Sequence, residues 1–213
     1  DNAPPAAPAN GAYQAATSST SSTFTFAGEP DSTFSCRIRR TAPAPAATLQ
    51  DWATCTSPYT TPTLTAGSYA LDIRQTDVAG NVSTTQTISW TIDTSTPPDV
   101  VFGAIPTSPT KLTTATPTLT YTADDPATST VYALFCKVDG GTWGAAGSSD
   151  CPVTGAGTTR TLTLTGLTEG AHTVSAYQTK KIGTDPATVG ATTSIVWTVD
   201  TTPPAAPGVT DQP

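Results

Sequence analysis

The chain has 213 residues, a net charge of −7, 36% hydrophobic and 12% charged residues, and no Met. Thr (48) and Ser (17) make up nearly a third of it, with 20 Pro and 16 Gly, a composition that favours strands and breaks helices. No apolar run approaches the roughly 18 residues of a membrane span, and nine scattered Lys and Arg cannot supply the clustered cations of a nucleic-acid binder. A chain that opens Asp1-Asn2-Ala3-Pro4-Pro5, without Met or an apolar leader, reads as processed or as an excerpt of something longer.

Repeats organise the sequence. D-N-A-P-P-A-A-P at Asp1–Pro8 returns as D-T-S-T-P-P at Asp93–Pro98 and as D-T-T-P-P-A-A-P at Asp200–Pro207. The later two copies follow matched strands, Trp90-Thr91-Ile92 and Trp197-Thr198-Val199. Between them Cys36 corresponds to Cys136, Trp52 to Trp143, Cys55 to Cys151, and Gln75-Thr76 to Gln178-Thr179. The expected organisation is therefore a first module at 1–97, a second at 98–203, and in 204–213 the start of a third repeat or a tail.

In chain order, Phe24 and Phe26 alternate with Thr, and Phe34, Cys36 and Ile38 alternate with Ser and Arg. Leu71 and Ile73 follow, then Ile88, Trp90 and Ile92. The second module repeats the pattern at Leu119 and Tyr121; Leu134, Cys136 and Val138; Leu162 and Leu164; Val174 and Ala176; and Ile195, Trp197 and Val199. A period of two with Thr outward predicts half-buried strands. About seven short strands per 100 residues predict an all-β chain of two tandem immunoglobulin-like antiparallel sandwiches, joined by a short Pro-rich linker at Thr94–Pro98. Paired prolines there and at Thr201–Pro204 predict extended, semi-rigid joints. Leu64-x-x-Gly67-x-Tyr69 has the form of a tyrosine corner, and His172 holds the Tyr69 position in the second module.

F-x-C-x-I…W-x-x-C-x-S-P (Phe34 to Pro58), with D-x-A-G-N and W-T-I-D-T-x-x-P-P (Asp77 to Pro98), resembles the bacterial immunoglobulin-like tandem repeats of large secreted surface proteins and adhesins. The likeness spans 1–97 and is looser over 98–203, which lacks D-x-A-G-N. It implies a secreted, extracellular or cell-surface location and a structural or adhesive role without enzymatic activity. The partners it implies are neighbouring repeats or like subunits, and a surface glycan or host protein. Nucleic acid and membrane insertion are not expected.

Two Cys per module at matched positions predict bridges Cys36–Cys55 and Cys136–Cys151 rather than zinc, which needs clustered Cys pairs or several His. Trp52 and Trp143 are expected to pack beside them. The bridges require an oxidising compartment. Asp77, Asn81 and the preceding Asp1 form a candidate calcium set, because the turn carrying Asp77-Val78-Ala79-Gly80-Asn81 should point toward the linker where Asp1 lies. The competing reading is a hairpin turn that uses Asp, Gly and Asn for their backbone preferences. Lys180 replaces Asp77 in the second module, so no matching site is expected, and no other cofactor is implied.

His172 is the sole histidine and reads as a corner residue; Asp124-Asp125 reads as a turn rather than a catalytic carboxylate pair. Residues 1–97 contain no Lys and 98–203 no Asn, which excludes a Lys–Asn cross-link within either module. Tyr13, Tyr59, Tyr132 and Tyr177 are candidate aromatics for a sugar site. The ends, Asn2–Gln14 and Ala205–Pro213, could add as strands to a neighbour in a self-assembling filament.

Overall fold

The computed structural model describes residues 2–206. Nearly every regular element is a strand, and the one helical turn among the described residues is a 3-10 turn at Pro126–Thr128. The backbone separates into two compact units: residues up to Ser95 with 125–131 and 181–187, and the remainder of the described chain.

The first unit contains β1 (Ala9–Asn10), β2 (Ala16–Thr17), β3 (Thr23–Phe24), β4 (Phe26–Ala27), β5 (Thr33–Ala42), β6 (Ala47–Cys55), β7 (Tyr59–Thr60), β8 (Gly67–Thr76) and β9 (Gln86–Ile92). Its main sheet runs β2-β9-β8-β5-β6, with β2 parallel to β9 and the other neighbours antiparallel. Two short ladders, β1 with β4 and β3 with β7, supply the opposing side. Alternation decides what is buried. Cys36 and Ile38 of β5, Leu71 and Ile73 of β8, and Ile88, Trp90 and Ile92 of β9 meet Phe24 and Phe26 in one core. Trp90 is its centre, with ring centroids 4.8 Å from Phe24 and 5.5 Å from Tyr69.

The second unit repeats the plan with β10 (Val101–Gly103), β11 (Thr118–Thr120), β12 (Thr130–Val138), β13 (Gly144–Ala145), β14 (Val153–Thr154), β15 (Thr159–Leu162), β16 (Gly170–Ile182), β17 (Thr188–Val189) and β18 (Thr193–Val199), the first two residues of β12 and the last two of β16 grouping with the first unit. One sheet runs β10-β11-β15-β14; the other runs β13-β12-β16-β17 with β18 also on β16. Its core joins Leu119, Leu134, Cys136, Leu162, Val174, Ala176, Ile195, Trp197 and Val199. The all-β sandwich reading of the sequence is met in both units.

The punctuation segments form matched local turns. Asp93 Oδ1 accepts from Ser95 N (2.9 Å) and Asp200 Oδ1 from Thr202 N (3.1 Å). From Pro207 onward the expected third-repeat start lies outside the described residues, as does Asp1.

Candidate functional site

Three constructions recur at equivalent positions, and they define what each module can do. The first is the disulfide. Cys36 is bonded to Cys55 and Cys136 to Cys151, with Cα atoms 5.8 and 5.1 Å apart. Each bridge lies in its core, with Cys36, Cys136 and Cys151 fully buried. Cys36 sits on β5 and Cys55 on β6, so the bridge ties a central strand to the sheet edge.

The tryptophans are placed otherwise than the sequence reading expected. Trp52 and Cys55 are three residues apart on one strand and therefore face opposite sides. Trp52 stands on the outer face under two guanidiniums, Arg37 at 4.8 Å and Arg74 at 4.1 Å from its ring centroid. Trp143 is likewise outward, covered by Lys137 at 4.9 Å and packed edge-on to Tyr177, which stacks on Phe135.

The second construction is the corner. Tyr69 Oη donates to the Thr65 carbonyl at 2.7 Å, four residues back. His172 reproduces this with imidazole chemistry. Nε2 is 2.8 Å from the Thr168 carbonyl, again four residues back, and Nδ1 is 2.7 Å from Asp139 Oδ2. A carbonyl can only accept, so Nε2 carries a proton, and the carboxylate favours a second on Nδ1. The Asp139 hydrogen bond, followed by that to Thr168, raises the His172 pKa above the usual imidazole value. Both ring nitrogens are engaged, which leaves neither to serve a nucleophile as a base.

Because the folded pKa is raised, this stabilisation is complete below the unfolded value of about 6.5 and is lost as pH rises through the folded value. The second module is therefore expected to melt lower at pH 8.5 than at pH 5.5. His172→Tyr, which restores the corner of the first module, is expected to abolish that slope. Thermal melts of both proteins at the two pH values read it directly.

The third construction was not foreseen as a site. Gln75 and Gln178 are buried, and each bonds the segment that enters its own module. Gln75 Nε2 donates to Ala6 O at 2.8 Å while its Oε1 accepts from Glu29 N at 2.9 Å. Gln178 Nε2 donates to Pro98 O at 2.5 Å while its Oε1 accepts from Thr122 N at 2.9 Å. The sequence signal was present, since Gln-Thr recurs at 75–76 and 178–179.

On the outer face of the first module, Asp72 accepts from Arg37 (Nε 3.0 Å, Nη2 2.8 Å), Arg39 (Nε 2.6 Å, Nη2 2.9 Å) and Thr87 Oγ1 (2.8 Å). Burial alone would raise its pKa, but the bonds from Arg39, Arg37 and Thr87 outweigh that and bring it down to about 2.

The remaining sequence candidates are spread over local turns. Asp77 Oδ1 accepts from Ala79 N (2.9 Å) and Asn81 N (2.8 Å), and Oδ2 from Asn81 Nδ2 (2.9 Å). Led by the Asn81 side-chain bond, these bonds lower its pKa. Both carboxylate oxygens face N–H donors, so this pair closes a turn. No group of three His, Cys, Asp or Glu converges among the described residues. Asp125 caps the 3-10 turn through Ala127 N (2.9 Å), and Asp124 holds Tyr132 N (2.7 Å). Tyr13 and Tyr59 belong to the first unit, and Tyr132 and Tyr177 to the second.

Residues 7–94 match the family described as the bacterial Ig-like domain, the class to which the repeat motifs pointed. None of the curated proteins is significantly similar in sequence. Among solved structures, the chicken CNTN1 FN1–FN3 domains are similar at 10% identity and a TM-score of 0.40, covering 93% of this chain and 68% of that one. The fibronectin(III)-like modules of Clostridium thermocellum CbhA give 14% and 0.37, covering 93% and 92%. A two-domain fibronectin type-III segment of chicken tenascin gives 12% and 0.32, covering 91% and 98%.

Proposed function

We propose that the chain is a structural segment of a secreted bacterial surface protein, in which tandem modules space or carry load for an adhesive part of the same assembly. The observation that supports this best is the repeated construction. Each sandwich has its own disulfide and a buried glutamine fastened to the segment before it. The family match over 7–94 and the oxidising environment that two bridges require agree with an extracellular, non-enzymatic module. Its neighbours on this reading are further modules of the same kind.

Force spectroscopy on the full chain tests it. Two discrete unfolding steps are expected. Reduction should lengthen the released chain by about 60 Å in the first module and about 50 Å in the second, at about 3.6 Å per freed residue, because the bridges lock separations of 19 and 15 residues. Smooth extension without steps, or release lengths unaffected by reduction, would overturn a mechanical role.

A further inference from the structure

The four cations of residues 1–97 are Arg37, Arg39, Arg40 and Arg74, and all lie on the adjacent strands β5 and β8. Arg37, Arg39 and Arg74 share the outer face. In the ladder Arg37 stands opposite Asp72, and Arg74 stands opposite Ser35. Moving along β5, the guanidiniums are therefore carried at positions 35 (from across the ladder), 37 and 39, a row spanning about 14 Å at about 3.4 Å per residue. At its Arg39 end the row meets a cleft of about 150 Å³ lined by Arg39, Ala46, Ala47, Thr48 and Arg40, which alternates to the other side of β5.

The carboxylates facing this row are few. Asp72 is buried beneath it and saturated by five bonds from Arg37, Arg39 and Thr87. Asp51 lies beside Trp52 and accepts from its backbone N–H. Arg74 has no carboxylate partner among the described residues, and its guanidinium carbon lies over the Trp52 ring, 4.1 Å from the centroid. The Nε of Arg40 is buried and unpaired. Arg37 and Arg39 give only Nε and Nη2 to Asp72, which leaves the third nitrogen of each unclaimed by it. In a chain of net charge −7, this is a locally positive, preorganised row of fork donors.

We infer that this face binds an acidic polysaccharide, a chain of sugars with one carboxylate per ring. Charge spacing selects that partner. Duplex DNA presents a charge every 1.7–3.4 Å of its axis, far denser than three guanidiniums along about 14 Å. A sugar carboxylate spaced by a ring matches the row more closely. Ser35, Thr54 and Ser89, on the same face by register, offer hydroxyls to the neutral positions between charges. This inference goes beyond the spacer role and stands on the first module alone, so its failure leaves that role untouched.

Calorimetric titration of the full chain with alginate, a polyuronate, tests it. Neutral dextran and duplex DNA are the comparators. Binding to alginate is expected at 20 mM salt and should weaken as salt rises. Arg74→Gln should weaken it about fivefold, Arg74→Lys should retain most of it, and Lys137→Gln in the second module should leave it unchanged. Arg40→Gln reads the cleft end of the row if Arg74→Gln melts abnormally. The inference fails if alginate does not bind, if dextran binds equally, if DNA binds more tightly, or if folded Arg74 and Arg40 variants both titrate like the parent.

Discussion

Asp72→Ala is expected to destabilise the first module by about 3 kcal/mol, in the range for removing one partner of a buried charge pair. The side chain of Asp72 is 1% exposed, while those of Arg37 and Arg39 are 30% and 36% exposed. The substitution therefore leaves two guanidiniums that can partly turn to solvent, which keeps the cost at the low end of that range. Linkage gives the same order of magnitude. A drop from 3.8 to about 2 corresponds to about 2.5 kcal/mol at about 1.4 kcal/mol per pH unit. The folded pKa is depressed, so this stability is present above the unfolded value near 4 and is lost as pH falls through about 2. Denaturant melts of the parent should weaken over that interval, and those of the variant should be flatter. Equal midpoints at pH 6 would show that the cluster is neutral to stability.

The second module lacks this charge. Ser175 and Ser194 occupy the corresponding strand positions and share a hydroxyl bond of 2.8 Å. The two modules thus respond to opposite ends of the pH scale, one through Asp72 in acid and the other through His172 toward alkali.

Reduction of the disulfides should cost each module about 3 kcal/mol, the chain-entropy value for closed separations of 19 and 15 residues. That is a large share of the roughly 5–15 kcal/mol that holds an ordinary domain together. Thr in the outward positions contributes little apolar burial, so each core rests on one layer of inward side chains. Paired Cys36→Ala and Cys55→Ala replacements should lower the melting temperature of the first module, and reductant should have no further effect on it. An unchanged melting temperature in both the reduced parent and the double variant would show that the sandwich needs no staple.

Much of this fold was legible in the sequence because its signals are local. The period-two patterns around Cys36, Leu71 and Trp90 need no knowledge of partners. Tyr69 and His172 each bond a carbonyl four residues back, so the corner was readable from Leu64-x-x-Gly67-x-Tyr69 and its counterpart, though the Asp139 partner of His172, 33 residues away, was not. What escaped depends on register. Arg37 and Asp72 are 35 residues apart and meet only because β5 and β8 pair in one alignment out of many. The same alignment carries Arg74 to Trp52. Trp52 itself was misplaced although its position was deducible, since a residue three before Cys55 on one strand cannot share its face. Gln75 and Gln178 were visible as a repeated pair, but their partners lie in segments with no strand pattern.

Those two glutamines also fix what counts as one copy. The carbonyl that completes each sandwich comes from the stretch upstream of it, at Ala6 in one case and Pro98 in the other. A joint and the module it leads into are thus one inheritable piece, and at Glu169, which accepts from Thr201 and Thr202, the second module also holds the joint it leaves. A gene that grows by duplication must cut ahead of the Asp-x-x-Pro-Pro or Asp-x-x-x-Pro-Pro punctuation, never behind it, or the new copy arrives with an amide facing an empty slot. The order of parts along any longer array follows from that: punctuation first, sandwich second, each delivered together.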